Sequence, residues 1–216
     1  MQTYYVFFDL VGTLIYPDPS VADIYFRIGH NHGSLVTHAD IQKNFRTAFK
    51  RHFSSPANHS EMSGEDIENN RWRRVVYEVF SDISNDDDAL FDELWQYFSL
   101  AENWSCYKDT CALMRTLNDR NIYTGIASNF DARIVAICKA LFPYLDPSHV
   151  YYSSALGYAK PHPGFFRTIE QRINDADGCY LMIGDDPVND IQAAELAGWQ
   201  SVHRDEIVTL YDLPGG

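Results

Sequence analysis

A strong helix–strand alternation begins at Cys106 and runs nearly to the end of the 216-residue chain, and it constrains the fold more than any other feature. Helical periods at 107–117, 132–141, 164–173 and 188–197 alternate with strand runs at 122–127, 150–152, 180–183 and 201–202, and Gly198 stops the last helix. Short strands joined by helices at this spacing must lie parallel, with helices on both faces. The expected class is therefore α/β, a doubly wound parallel sheet. A further apolar run, 4–10, is rich in aromatic and β-branched residues and stands alone at the start of the chain. It is followed by a stretch with only helical spacing: Ile24 and Ile28, then Ile41, Phe45 and Phe49, then Val75, Val76 and Phe80, then Leu90, Leu94 and Phe98. A buried strand has no partner in such a stretch, so 4–10 must join the later sheet. That makes 17–100 an all-helical insertion after the first strand, with 1–16 and 101–216 forming the core. The insertion leaves from the carboxyl edge of the sheet, where open α/β sheets bind ligands, and is expected to act as a lid. Within it, Ser63-Gly64-Glu65-Asp66 and Ser84-Asn85-Asp86-Asp87 read as helix starts, each a serine cap with an acid three residues on. Asp86 to Asp88 then form a solvated first turn.

Composition narrows the partners. A formal charge of −13 excludes a nucleic-acid backbone or an anionic membrane as the main partner, since both need a positive field. No apolar run approaches the ~18 residues of a membrane span, and Met1-Gln2-Thr3-Tyr4 lacks a basic leader, so a cytoplasmic protein is expected. Cys106, Cys111, Cys138 and Cys179 form no Cys-x-x-Cys pair and sit in apolar patterns, as buried thiols do. A monomer or weak homodimer is expected.

Chemistry-bearing residues fall at the ends of successive strands. The first ends in Asp9, with Gly12 allowing a sharp exit and Thr13 offering a hydroxyl. The second ends in Ser128-Asn129, which can hold an anionic oxygen, with Asp131 placed to cap the next helix. Lys160-Pro161 follows the third. The fourth ends in Gly184-Asp185-Asp186-Pro187-Val188-Asn189-Asp190, with Pro187 at a first helical position. Adjacent carboxylates suit a hard cation such as Mg2+, which takes one or two acids plus substrate oxygens. Lysine and serine would neutralise the remaining oxygens while an aspartate attacks.

Together these residues resemble the haloacid dehalogenase superfamily over nearly the whole chain. The four motifs lie at Asp9 to Thr13, Ser128, Lys160 and Asp185 to Asp190. The resemblance implies a Rossmann-like core with a helical cap. Ser128-Asn129-Phe130-Asp131 and the Lys160-Pro161 context look most like the haloacid dehalogenase-like hydrolase domain-containing subgroup. It also implies Asp9 as nucleophile, and Mg2+ held by Asp9, the Val11 carbonyl and Asp185, with Asp186 and Asp190 behind them. Thr13, Ser128, Asn129 and Lys160 would bind the phosphoryl group of a small phosphorylated metabolite.

The pattern breaks at Val11. Phosphatases of the superfamily carry there a second acid, which protonates the leaving group and then activates water, and valine can do neither. One reading keeps an Mg2+-dependent phosphohydrolase with undemanding leaving groups, or with a proton from Tyr16, Asp18 or the cap. A second is dehalogenase chemistry, or phosphonatase chemistry through an imine on Lys43 or Lys50, the only cap lysines. A third is a catalytically weak relative that binds a phosphorylated ligand or a protein. The cap aromatics Tyr25, Phe26, Trp72, Tyr77, Trp95 and Tyr97 are expected mostly in its core, and Arg71, Arg73 and Arg74 on a solvated face.

Overall fold

The computed structural model describes residues 3–53, 62–84 and 88–207. Five parallel strands form the central sheet in the order β5-β4-β1-β6-β7: β1 (Tyr4–Phe8), β4 (Tyr123–Ser128), β5 (Val150–Tyr152), β6 (Cys179–Gly184) and β7 (Gln200–His203). The strand that opens the chain thus occupies the middle, pairing Phe8 with Ile126 on one side and with Ile183 on the other. On the two sides of β1 the sheet grows in opposite directions, so the carboxyl end of β1 is the switch point at which such folds bind ligands.

Side chains of a strand alternate between faces, and β1 uses both. Val6 and Phe8 join Leu113, Met114 and Leu117 of α5 (Lys108–Asp119) and Ile134 and Ile137 of α6 (Arg133–Leu141). Tyr5 and Phe7 face the other way. There they meet Leu156 of the short α7 (Ser153–Leu156), Phe165 and Phe166 of α8 (Pro163–Ile173), Ala193 of α9 (Ala193–Leu196), and Trp199. The sheet is covered on both faces, a Rossmann-like arrangement.

Between β1 and β4 the chain builds four helices with a core of their own: α1 (Val21–Asn31), α2 (His38–Phe53), α3 (Glu65–Val79) and α4 (Ala89–Tyr97). Tyr25, Ile41, Val75, Phe80, Phe91 and Leu94 fill it. The block is joined to the sheet by an antiparallel ribbon of β2 (Ile15–Pro17) and β3 (Trp104–Cys106), with Tyr16 opposite Ser105. It touches the core again at the start of α3, where Ser63 N–H donates to the Gly157 carbonyl and the Glu65 carboxylate accepts from Ala132 N–H.

Several local expectations are corrected. Strand β1 stops at Phe8, yet Asp9 N–H still donates to the Ile183 carbonyl at 2.8 Å, so Asp9 leaves the sheet in a fixed direction. Ser63 does not cap α3; Gly64 occupies that position and the Ser63 hydroxyl donates to Glu68 instead, at 2.6 Å. Asn85, Asp86 and Asp87 lie outside the described residues. Asp88 is not merely solvated, because Arg73 and the Tyr77 hydroxyl bind its carboxylate. The helix expected at 188–197 is a π-helical turn, Pro187–Gln192, followed by α9. Asp186 caps that turn through Val188 and Asn189 N–H, and the wide turn brings the Asp190 carboxylate back onto Asp186 N–H. All four cysteines are free, Cys138 buried and the other three half-buried. Among the described residues no helix is long and apolar enough to cross a membrane.

Phe7 contacts Tyr123, Tyr151 and Trp199 and is wholly buried in the middle strand. Phe7→Ala should cost about 3–5 kcal/mol, lowering Tm by roughly 10 °C in a chain of this size, as thermal denaturation would read directly.

Candidate active site

Beyond the carboxyl ends of β1, β4 and β6, one buried ammonium organises the site. Lys160 Nζ donates to Asp9 Oδ1 at 2.9 Å, to Asp190 Oδ1 at 2.5 Å and to the Ala127 carbonyl at 2.8 Å. An ammonium has three protons, so all are used. The expected contact of Lys160 with phosphoryl oxygens is therefore replaced, in this state, by contacts that orient the nucleophile candidate. Asn129 accounts for where the lysine sits: its Nδ2 donates to the Lys160 carbonyl at 2.8 Å, and its Oδ1 accepts from Lys160 N–H at 2.7 Å. With one amide N–H and the amide oxygen engaged, Asn129 positions Lys160, and its second N–H is left for the expected anion contact.

Asp9, Asp185 and Asp190 each bring a carboxylate oxygen within 4.8 Å of the others. Thr13, expected on the anion, is wholly buried and donates its hydroxyl to Asp185 Oδ1 at 3.0 Å. Asp186 is drawn out of the cluster, since Val188 N–H, Asn189 N–H and Asn189 Nδ2 all bond its carboxylate. Asp190 takes the place beside Asp9 and Asp185 that was expected to lie behind them. Asp131 meets the start of α6 as expected, its Oδ1 accepting from Arg133 N–H at 3.1 Å, and it also grips the Arg133 guanidinium with both oxygens, each at 2.7 Å.

Glycines make this crowding possible. At Gly12, where φ is +94°, a Cβ would stand 2.3 Å from Asp185 Oδ2, and at Gly184 a Cβ would stand 2.2 Å from Asp190 Oδ2. Both carboxylates occupy space that only glycine leaves open. Val11 immediately precedes Gly12, and its bridge to Ile15 is made by the Leu10 carbonyl and Gly12 N–H, so the Val11 carbonyl is not spent there.

The electrostatics report a shortage of positive charge. Burial pushes the Asp9 carboxyl above its ordinary range against the pull of Lys160, with the Asp185 charge adding to the push and a hydrogen bond from Ser128 opposing it. Burial likewise raises Asp185, and it pushes Asp190 up to about 6 despite Lys160. Burial alone would lower the Lys160 ammonium, but Asp190 and Asp9 outweigh it and hold it above its usual value. One ammonium faces three carboxylates, all hard oxygen donors, and this set fits a divalent cation such as Mg2+.

From this cluster a cavity of about 450 Å³ runs into the helical block. Asp9, Val11, Ser128, Asn129, Lys160, Asp185, Asp186 and Asp190 line one end; Tyr25, Trp72 and Trp95 line the rest, while Phe26, Tyr77 and Tyr97 do not. Half of the cap aromatics in question therefore border the cavity, Tyr25 from within the cap core and Trp72 and Trp95 from its edge. Arg71 is buried on the same wall beside Glu68, and Arg73 lies over the Phe91 ring. Neither Tyr16 nor Asp18 lines the cavity; Tyr16 packs on Tyr107 and Asp18 accepts from the Ser105 hydroxyl. Lys43 and Lys50 are exposed on α2 and line no part of it, which removes the imine route.

Two residues were missed in the sequence. Arg204 donates Nη1 to the Gly12 carbonyl at 2.5 Å and lies over the Tyr107 ring, bracing the loop after β1 from the far end of the chain. Its distance in sequence left no local signal. Asn189 lines the cavity with a buried Oδ1 that has no partner among the described residues. Its place inside the fourth motif was the available signal.

A family model described as hydrolase, haloacid dehalogenase-like hydrolase, matches residues 5–198. The haloacid dehalogenase-like hydrolase domain-containing protein 3 of Danio rerio is 25% identical over 217 residues, covering 97% of this chain and 89% of its own. Among solved structures, YfnB of Bacillus subtilis, bound to magnesium, superposes with a TM-score of 0.71 at 19% identity, covering 93% of this chain and 88% of its own. A 2-haloacid dehalogenase from Pseudomonas syringae superposes at 0.61 with 20% identity, covering 93% and 85%.

Removing the ammonium leaves Asp9 and Asp190 buried without it. Lys160→Met should destabilise the fold by about 3–5 kcal/mol in urea denaturation at pH 8. With carboxyl pKa values above their unfolded values, the folded state holds protons that the unfolded state has released. Stability of the variant should therefore fall as pH rises from 5 to 8 and be partly recovered on acidification.

Proposed function

The chain belongs to the haloacid dehalogenase-like hydrolases, and from that membership we propose that it is an Mg2+-dependent hydrolase in which Asp9 attacks the phosphoryl group of a small phosphorylated metabolite. The observation that carries this reading is the convergence of Asp9, Asp185 and Asp190 around Lys160 at the end of a cavity. Residues 17–100 serve as the cap that covers the substrate.

Asp9, Asp185 and the Val11 carbonyl would hold the ion, which supplies positive charge for the phosphoryl oxygens and relieves the crowded carboxylates. Lys160 and Ser128 orient Asp9 and favour its ionised form against the effect of burial. A carboxylate oxygen of Asp9 attacks phosphorus, the ester P–O bond breaks, and its electron pair leaves on the alcohol oxygen, which takes its proton from solvent. As the attacking carboxylate gives up its charge, Lys160 is released to turn one N–H to a phosphoryl oxygen. Water then attacks the phosphorus of the Asp9 acyl phosphate. Inorganic phosphate departs, the Asp9 carboxylate is restored, and the proton of water passes to solvent.

Val11 supplies no proton in either half of this sequence, and the general acid–base contribution at stake is ~10²–10⁴-fold. Phosphate release from a panel of aryl, acyl and alkyl phosphates, with Mg2+ and with chelator, tests the reading. Release should require Mg2+ and vanish in Asp9→Asn. Val11→Asp should raise turnover of alkyl phosphates by about tenfold or more, with much less effect on acyl phosphates. A wild type that releases phosphate from none of them overturns the proposal.

A further inference from the structure

The part of the cavity formed by the helical block is walled by aromatic rings. Phe45, Phe49 and Phe53 follow one another along α2, with Phe49 and Phe53 stacked at 4.9 Å, and Trp72 of α3 is tilted against both at 5.8 and 4.8 Å. Trp95 and Phe98 stand on the same cavity. These rings belong to helices that already have a core, yet Phe49 remains 36% exposed and Phe45, Phe53, Trp72 and Trp95 only half-buried. The part of this aromatic area that neither the neighbouring rings nor the Arg133 guanidinium over Trp95 covers borders a concave space, and it is area that a ligand can cover. The volume, about 450 Å³, is that of an organic ligand's site and not of a bare phosphate site.

At the other end of the same cavity stands Val11, with 36% of its surface exposed. Apolar lining thus reaches the residue two positions after Asp9, where a proton donor is missing. The two features answer each other if the leaving oxygen is borne by an aromatic ring. A phenolate carries its electron pair by delocalisation and departs without a proton donor, and the ring to which it belongs stacks on the exposed aromatic walls.

We propose that the substrate is an aryl phosphate monoester, its phosphoryl group at Asp9 and its ring body in the aromatic part of the cavity. The inference rests on the phosphoryl reading above. In the transfer, the bond from phosphorus to the phenolic oxygen breaks as the bond from Asp9 forms, and the phenolate takes a proton from bulk water after it leaves.

The test separates ring recognition from catalysis by using phosphonates, which bind without turning over. Calorimetry with Mg2+ and the full chain compares 2-naphthylphosphonate with methylphosphonate. Wild type should bind the naphthyl compound at least about tenfold more tightly, and Phe49→Ala and Trp72→Ala should each erase most of that preference while leaving methylphosphonate affinity unchanged. Equal affinity of wild type for the two compounds overturns the inference and leaves the phosphoryl reading standing, and needs no variant to fold. A preference that survives in both variants also overturns it, because the ring then lies elsewhere. If neither phosphonate binds, the phosphoryl reading fails, and the inference fails with it.

Discussion

Lys160 Nζ spends its three protons on Asp9, Asp190 and the Ala127 carbonyl, and through them ties the end of β1, the end of β4 and the turn after β6 to one point. An ammonium buried this deeply costs several kcal/mol of lost hydration and is stable only when every proton has a partner. Each partner is fixed by something larger. Ala127 is held by the β4 ladder, Asp9 by its N–H bond to Ile183, and Asp190 by Asp186 N–H inside the π-helical turn. The lysine's own backbone is clamped on both sides by Asn129. The charge is thus balanced locally in a chain with a large negative total, and the balance is incomplete, which is the condition that lets the site take a divalent cation.

The same crowding explains why two of the chain's tightest backbone positions lie here. A Cβ at Gly12 would overlap Asp185, and one at Gly184 would overlap Asp190, so the spacing of the carboxylates is set by backbone that carries no side chain. Arg204 closes the arrangement by holding the Gly12 carbonyl and stacking on Tyr107 at the foot of the ribbon that leads to the helical block. The loop that carries Val11 is therefore braced on one side by the sheet and on the other by a guanidinium, and the ribbon β2–β3 starts from a fixed base.

Much of this was legible in the sequence because strand ends in a parallel sheet come to one edge, so Asp9, Ser128, Lys160 and Asp185 could be brought together by order alone. What escaped has identifiable causes. Strands of three residues, such as β2 and β3, are too short to show a period of two. A π-helical turn has no sequence period of its own, so the helix expected from residue 188 hid the device that returns Asp190 to Lys160. Side chains such as Thr13 and Asn129 are polar in any pattern, and only coordinates reveal that Thr13 gives its proton to Asp185 and that Asn129 clamps the Lys160 backbone. Helical spacing likewise identifies an apolar face without saying whether it meets a core or a cavity. Tyr25, Trp72 and Trp95 line the cavity while Phe26, Tyr77 and Tyr97 do not, although all six look alike in sequence.

Val11 gains its meaning from this setting. A carboxyl at that position would be a fourth acid beside three whose pKa values burial has already raised, with a single ammonium to balance them. Valine removes that repulsion and extends the apolar lining of the cavity to the edge of the charged cluster. The exchange takes away a proton carrier and adds apolar surface at the point where the leaving group of a substrate would sit. Leaving groups that need protonation lose from both changes, because they depart poorly and are polar. Leaving groups that stabilise their own charge in a ring lose nothing from the first and gain from the second. On the phosphoryl-transfer reading proposed above, valine at this position would act as a filter on the chemistry of the leaving group, working through the barrier and the binding surface at the same residue.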